Sequence, residues 1–502
     1  MASHLERLRD LLGEVFDLRA ASAVLEWDQQ VNMPSGGAAN RAAQLSTIGR
    51  LAHEKFISNE VSQALDGARG EAASLDPDSD EARLVRKVEK DLTKALKVPA
   101  EFVGEFARVS ALAQEAWTRA RPANDFVSFR PHLEQVFDLR RQYADFFAPY
   151  DHRYDPMLDD FESGLKSAQV KAVFDELRPR QVALVRAIQE RGRPVDDAFL
   201  HLEYDVQKQW DFGLEVARSY GYDFKRGRQD KSAHPFTTSF GLGDVRITTR
   251  LYSDLLTSSI FSTMHETGHA LYDQGSRPSL DRSPLLGGTS LAIHESQSRM
   301  WENFVGRSRG FWSAFFPRLQ ATFPSQLGPV DPEAFYRAIN KVQPSLIRVE
   351  ADEATYNLHI MLRFDLELAL AAKSLDVRDL PAQWNAKMRE YLGLTPPDDK
   401  MGVLQDVHWS TGYMGYFPTY ALGNLIAAQL WERIQVDLPR LNDEIGRGQF
   451  GSLLSWLREN IHQHGSKFEP VELLQRVLGG GLSAQPYLRY LESKFGEIYG
   501  LS

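Results

Sequence analysis

Cysteine is absent from all 502 residues. Disulfides and thiolate metal sites are therefore excluded, and any metal must be held by His, Asp or Glu. A reducing compartment fits this usage. Positive charge is in deficit: 58 Lys and Arg stand against 68 Asp and Glu, a formal net charge of −10. No run of five or more basic residues occurs, so nucleic-acid binding has no support. Long apolar runs are missing too. The opening "MASHLERLRDLLGEVFDLRA" carries a charge every few residues and has no signal-peptide core. The longest uncharged run, "WSTGYMGYFPTYALGNLIAAQLW" at 409–431, holds Pro418, three glycines and several hydroxyls and amides. That suits a buried segment better than a membrane span. No membrane partner is expected, and the cytoplasm is the expected setting.

What is present is helical periodicity in a chain 43% hydrophobic and 25% charged, the profile of a soluble globular protein. Leu5, Leu8, Leu12, Val15 and Phe16 fall on one stripe, as do Leu133, Val136, Phe137 and Leu139. Similar patterns recur in "DEARLVRKVEKDLTKALKV" and "SAQVKAVFDELRPRQVALVRAIQERG", broken by turn clusters such as "MPSGG", "LDPDSD" and "LTPPDD". There is no fixed-period repeat and no low-complexity linker. The economical reading is one mainly α-helical unit over residues 1–502. The exception is "HPFTTSFGLGDVRITTRLYSD" at 234–254, rich in β-formers and broken by Gly-Leu-Gly, which predicts a short hairpin or small sheet.

That segment leads into "IFSTMHETGHALYDQG" at 260–275. On an α-helix each residue turns ~100°, so His265 and His269 face one point while Glu266 is turned aside. This is the physical content of the H-E-x-x-H motif: two metal ligands and a carboxylate able to reach a water. With 13 histidines in the chain, a chance match has a probability of only ~2%. Gly268 inside the motif costs about 1 kcal/mol of helix propensity relative to Ala, a cost that a merely structural helix has no reason to carry. Zinc needs a third protein ligand and an open position. "GGTSLAIHESQSRMWENF" begins with turn glycines and a Ser/Thr cap and runs on as a helix bearing Glu295. His294 is its neighbour and is turned ~100° away, so Glu295 is the expected third ligand, completing a His₂Glu set. The longer H-E-x-x-H-x-x-G-x-x-H pattern is excluded, because Gln274 and Gly275 stand where its last ligand would fall. "MWEN" at 300–303 and the pair His462/His464 are set aside, the latter as the polar end of a helix.

Six short motifs now stand in order: "HPF" at 234–236, "DVRIT" at 244–248, "HETGH" at 265–269, "HESQ" at 294–297, "IRVEAD" at 347–352 and "GVLQDVHW" at 402–409. Together with the opening "ASAVLEWDQQVNMPSGG", they make the whole chain resemble the metallocarboxypeptidases of the thermostable carboxypeptidase (carboxypeptidase Taq) family. The resemblance implies a large helical fold of the kind shared with neurolysin and angiotensin-converting enzyme, with a deep active-site groove and a small sheet beside the zinc helix. It implies zinc, with cobalt as a substitute, on His265, His269 and Glu295, and Glu266 as the catalytic base. It also implies a homodimer that removes C-terminal residues from peptides with broad selectivity.

By the same resemblance His408 and a tyrosine, Tyr416 or Tyr420, stabilise the oxyanion of the attacked carbonyl. A carboxypeptidase also needs a cation for the substrate's terminal carboxylate. Arg348 is the first choice and Arg246 the second, with His234 of "HPF" a further substrate-binding candidate. Each has a plainer reading: His408 as a buried histidine satisfied by Asp406, the tyrosines as core aromatics, Arg348 as an i,i+4 helix pair with Asp352. Two rival functions stand beside the main one. One is an endopeptidase or dipeptidase on the same scaffold. The other is a helical peptide-binding protein with structural zinc, against which the count of three ligands plus Glu266 argues.

Overall fold

Hydroxyl and carboxylate side chains that accept from free backbone N–H groups start many of the helices. Ser3 caps His4–Val31 and forms a capping box with Glu6, Ser58 caps Asn59–Ala72, and Ser79 caps Asp80–Lys97. The computed structural model describes residues 3–501 and is mainly helical, with one three-stranded sheet.

The first helices bury their apolar stripes against one another. Leu8, Leu12, Val15, Leu65, Leu84 and Val88 form a core of their own, closed by Leu280 and Leu285 from later in the chain. Ion pairs tie this layer to the rest, including Lys94–Asp159 at 2.8 Å, Lys467–Asp80 at 2.8 Å and Arg83–Glu472 at 2.7 Å. A second, larger core runs from Ala116 to Tyr499 and contains the elements that carry the motifs.

The expected sheet is present. Strand β1 is Gln229–Lys231, β2 is Thr237–Ser239 and β3 is Val245–Thr249, in the order β1-β3-β2. Strands β2 and β3 form the antiparallel hairpin, with Thr237 opposite Ile247 and Thr238 opposite Arg246. β1 adds in parallel on the other side of β3, Gln229 opposite Ile247. Because side chains alternate along a strand, Val245 and Ile247 point into the core while Arg246 points to the opposite face.

The sheet lies against Leu256–Gln274, the motif helix. A loop leads from it to Leu291–Arg299, the glutamate helix, which runs straight into a π-helical turn at Met300–Val305. The uncharged run at 409–431 is largely buried, with Tyr413 exposed: after a series of turns it becomes the helix Pro418–Asp437, packed on the glutamate helix.

Two glycines allow these helices to approach. A Cβ on Gly268 would lie 2.6 Å from Ser298 Cα and 2.7 Å from Gln297 O. A Cβ on Gly423 would lie 2.6 Å from Glu295 Cβ and closer still to Cγ. The glycine inside the histidine motif thus has a packing reason: it lets the glutamate helix come close. The expectation that a merely structural helix has no use for Gly268 is corrected accordingly.

Candidate metal centre

The motif helix turns His265 and His269 to one side, and the glutamate helix brings Glu295 to meet them. Glu295 Oε2 is 3.5 Å from Nε2 of each histidine. One ligand atom from each of the three residues lies within 4.8 Å of the others. Two atoms bound at ~2.1 Å to one tetrahedral centre lie ~3.4 Å apart, so both Glu295–histidine spacings match a shared metal ion. Arg299, one turn after Glu295, donates from Nε to Oε1 at 2.7 Å and leaves Oε2 facing the histidines. Burial alone would raise the Glu295 pKa, but Arg299, His265 and His269 outweigh it and hold the carboxylate well below its usual range.

The outer nitrogens of both histidines are engaged. His265 Nδ1 is 2.9 Å from Glu302 Oε2, which also accepts from Arg299 Nη1 at 3.0 Å. His269 Nδ1 is 2.6 Å from His294 Nδ1, and His294 Nε2 is 3.1 Å from Asp273 Oδ1. With both Nε2 atoms turned to the ligand point, each Nδ1 carries the proton and donates outward, the arrangement that orients metal-binding imidazoles. His294 accordingly supports the centre from behind His269. Glu266 is 6% exposed, and its Oε2 accepts from Thr237 Oγ1 of β2 at 2.7 Å. Burial pushes its pKa up.

Glu302, Arg299, His294, Asp273 and Thr237 were not singled out from the sequence as working groups. Spacing signals for several of them existed. Asp273 follows His269 by four positions, and Arg299 and Glu302 follow Glu295 by four and seven, so each shares a helix face with its ligand. "MWEN" therefore contains a supporting residue of this centre. His462 is also corrected. It is fully buried, with Nε2 2.9 Å from Gln297 Oε1, and is not a polar helix end.

A second cluster gathers the later motifs. Arg348 is 6% exposed and sits in a 3₁₀ turn, Arg348–Glu350. Its Nε and Nη2 donate to Asp406 Oδ1 at 3.1 and 2.9 Å, and Nη1 donates to the Tyr356 hydroxyl at 3.1 Å. Burial lowers the Arg348 pKa, and Asp406 more than restores it, so the guanidinium stays charged. The plain Arg348–Asp352 helix pair is not formed. Asp352 instead accepts from the backbone N–H groups of Ala354, Thr355 and Gln343.

His408 Nδ1 lies 3.9 Å from Asp406 Oδ1, beyond hydrogen-bond reach, and is buried without a partner among the described residues. Its ring packs 4.6 Å from Phe417, 5.4 Å from Tyr416 and 6.5 Å from Tyr420. Burial lowers its pKa to about 4, so it is neutral at pH 7. Tyr420 lies 5.1 Å from the Arg348 guanidinium, while burial and then the Glu295 charge are among the causes that raise the Tyr416 pKa. Tyr416 is the nearer of the two to the His408 ring. Tyr356 links the two clusters: its hydroxyl accepts from Arg348, and the Arg299 guanidinium stands 4.8 Å over its ring.

The two remaining candidates have partners outside these clusters. Arg246 is held by Asp244 through two bonds of 2.8 and 2.7 Å and stacks 4.3 Å from Trp27 and 4.9 Å from Phe240. His234 is exposed, and its carbonyl accepts from Ser232.

The model of the family described as carboxypeptidase Taq (M32) metallopeptidase matches residues 7–495. Thermostable carboxypeptidase 1 of Thermus thermophilus is 42% identical over 504 residues, 99% of each chain. Carboxypeptidase 1 of Bacillus subtilis is 36% identical over 98% of this chain and 97% of its own. The crystal structure of an M32 carboxypeptidase from Deinococcus radiodurans superposes with a TM-score of 0.96 at 44% identity, covering 99% of both chains.

Proposed function

The chain belongs to the carboxypeptidase Taq family and is a metallocarboxypeptidase, and from that premise we propose a zinc enzyme of broad C-terminal selectivity in which residues 1–502 act as one catalytic unit. The observation that carries the reading is the His265–His269–Glu295 cluster with the buried Glu266 beside it. Bound there, zinc supplies a Lewis acid and lowers the pKa of a water to about 7; cobalt serves as a substitute.

Glu266 takes the proton of the attacking water and hands it to the departing amine. Burial raises its pKa, which makes it a stronger base than an exposed carboxylate. The Thr237 hydroxyl holds Oε2, which leaves Oε1 for the water. His408 is neutral, and it and a tyrosine donate to the oxyanion as charge develops. Tyr416 is preferred, since its ring lies nearer His408 while Tyr420 packs beside Arg348.

Arg348 anchors the terminal carboxylate. Asp406 and Tyr356 occupy part of its donor set, and a second hydrogen on each of Nη1 and Nη2 remains for the substrate. Arg246, already paired bidentately with Asp244, is the weaker candidate, and His234 is a peripheral one. Among the described residues no helix is long and apolar enough to cross a membrane. A cytoplasmic homodimer is proposed on the family resemblance.

The test compares a free-acid peptide with its C-terminal amide in the native enzyme and in Arg348→Ala. The variant should lose about 3 kcal/mol of transition-state stabilisation with the acid, roughly a hundredfold in kcat/KM, and little with the already poor amide. Removing Arg348 also leaves Asp406 short of a partner, so some stability is lost; the acid-to-amide ratio within one protein is unaffected by that. Equal losses on both peptides would move the anchor to Arg246. Equal cleavage of both by the native enzyme would favour an endopeptidase.

A further inference from the structure

We propose that Glu367 is a positioning residue that holds the segment carrying His408 and Tyr416 in register with the metal ligands. This rests on the oxyanion role assigned above to those two side chains.

Glu367 lies in the helix Tyr356–Ala371, is 0% exposed, and touches neither the metal ligands nor any group given a chemical role. A fully buried carboxylate is costly unless every lone pair is used, so its partners show what it is for. Oε1 accepts from Trp409 Nε1 at 2.7 Å. Oε2 accepts from the Gly415 backbone N–H at 3.2 Å and from the Tyr154 hydroxyl at 2.6 Å. Trp409 directly follows His408, and Gly415 directly precedes Tyr416. One carboxylate therefore ties down both ends of the turn from which the two proposed oxyanion donors project.

One helical turn earlier, Arg363 grips the start of the same segment. Its Nε donates to Asp406 Oδ2 at 2.8 Å and its Nη2 to Gln405 Oε1 at 2.8 Å. Residues i and i+4 share a helix face, so Arg363 and Glu367 form a two-point template, one side chain donating and the other accepting. The segment 405–415 has no regular secondary structure to hold it. Hydrogen-bond donors for an oxyanion must be placed before reaction to be effective, and this template supplies that placement.

Glu367→Gln keeps size and one acceptor but sets an amide nitrogen against a donor. Trp409→Phe keeps the aromatic packing and removes only the indole donor, so it carries the test if the first variant fails to fold. Each should lower kcat ~10–100-fold with KM within about threefold and with metal content unchanged. The deciding measurement repeats both variants in a His408→Gln/Tyr416→Phe background, where a residue acting through those groups should cost less than about twofold. A full, multiplicative loss in that background, or a native kcat in both single variants, would overturn the proposal. If the background variant itself turns over at the native rate, the oxyanion assignment fails and the proposal falls with it; that outcome is visible before Glu367 is touched.

Discussion

The metal side of the site and the arginine–tyrosine side are assembled by opposite means. On the metal side the ligands and most of their supports sit at helical intervals: His265 and His269, Glu295 with Arg299 and Glu302, His269 with Asp273. Two helices, brought together across Gly268, build it. On the other side the partners are far apart in sequence: Arg348 and Asp406 are 58 positions apart, and Glu367 and Trp409 are 42 apart. Charge is handled differently as well. The metal side pairs Arg299 with two carboxylates beside the histidines, whereas on the other side one carboxylate, Asp406, is shared by two arginines. In the first, Glu295 Oε2 stays turned to the two histidines; in the second, Arg348 keeps an unused N–H on each terminal nitrogen.

The largest expected effect tests whether the metal side separates ligand from catalyst. Glu266→Gln keeps the shape, so bound metal should stay at the native amount while turnover falls by ~10²–10⁴-fold. Metal analysis of the purified variant beside its kcat decides this. Joint loss of metal and activity would make Glu266 a support of the centre.

This contrast also explains what could be read from the chain. The His₂Glu set was legible because a helix converts spacing into direction, and the hairpin because Thr, Val and Ile cluster around Gly-Leu-Gly. β1 escaped because "QDK" has no β-forming pattern and is held by pairing with β3 alone. The pairing of Arg348 with Asp406 escaped for a related reason: no local period links residues joined only by the tertiary fold, and the acid at i+4, Asp352, is spent on backbone N–H groups. His408, Tyr416 and Arg348 were therefore reached through family motifs, whereas Glu302 was within reach of spacing and was passed over.

Glu302 gives the next effect in size. Glu302→Gln weakens the acceptor for His265 Nδ1 and removes a charge facing Arg299 and Arg307. Metal affinity should fall by ~10–100-fold, measured by competition with a chelator. Unchanged affinity would mean that the packing of the two helices alone orients His265.

The smallest effect probes the seam between the two sides, Gly423, which lies on the buried helix that follows Tyr416 and faces Glu295 of the metal side. An added methyl would stand 2.6 Å from Glu295 Cβ, closer than real carbon contacts allow. Arg299 and Ser298 hold the carboxylate at the other end, at 2.7 and 3.0 Å, so the Glu295 side chain cannot swing away freely. Overpacking of this kind costs about 1–3 kcal/mol, and Ala regains roughly 0.5–1 kcal/mol of helix propensity over Gly. Gly423→Ala should therefore lose about 0.5–2 kcal/mol net. Gly104, exposed in the helix Ala100–Ala123 with nothing within 4 Å of an added methyl, supplies the control: Gly104→Ala should gain about 0.5–1 kcal/mol. The group that must shift in the first variant carries a ligand atom, so its metal affinity should fall along with its thermal midpoint, while the control keeps native affinity. A Gly423→Ala protein that loses stability but binds metal as tightly as the native chain would show that the seam yields on the helix side, leaving the two halves of the site mechanically independent.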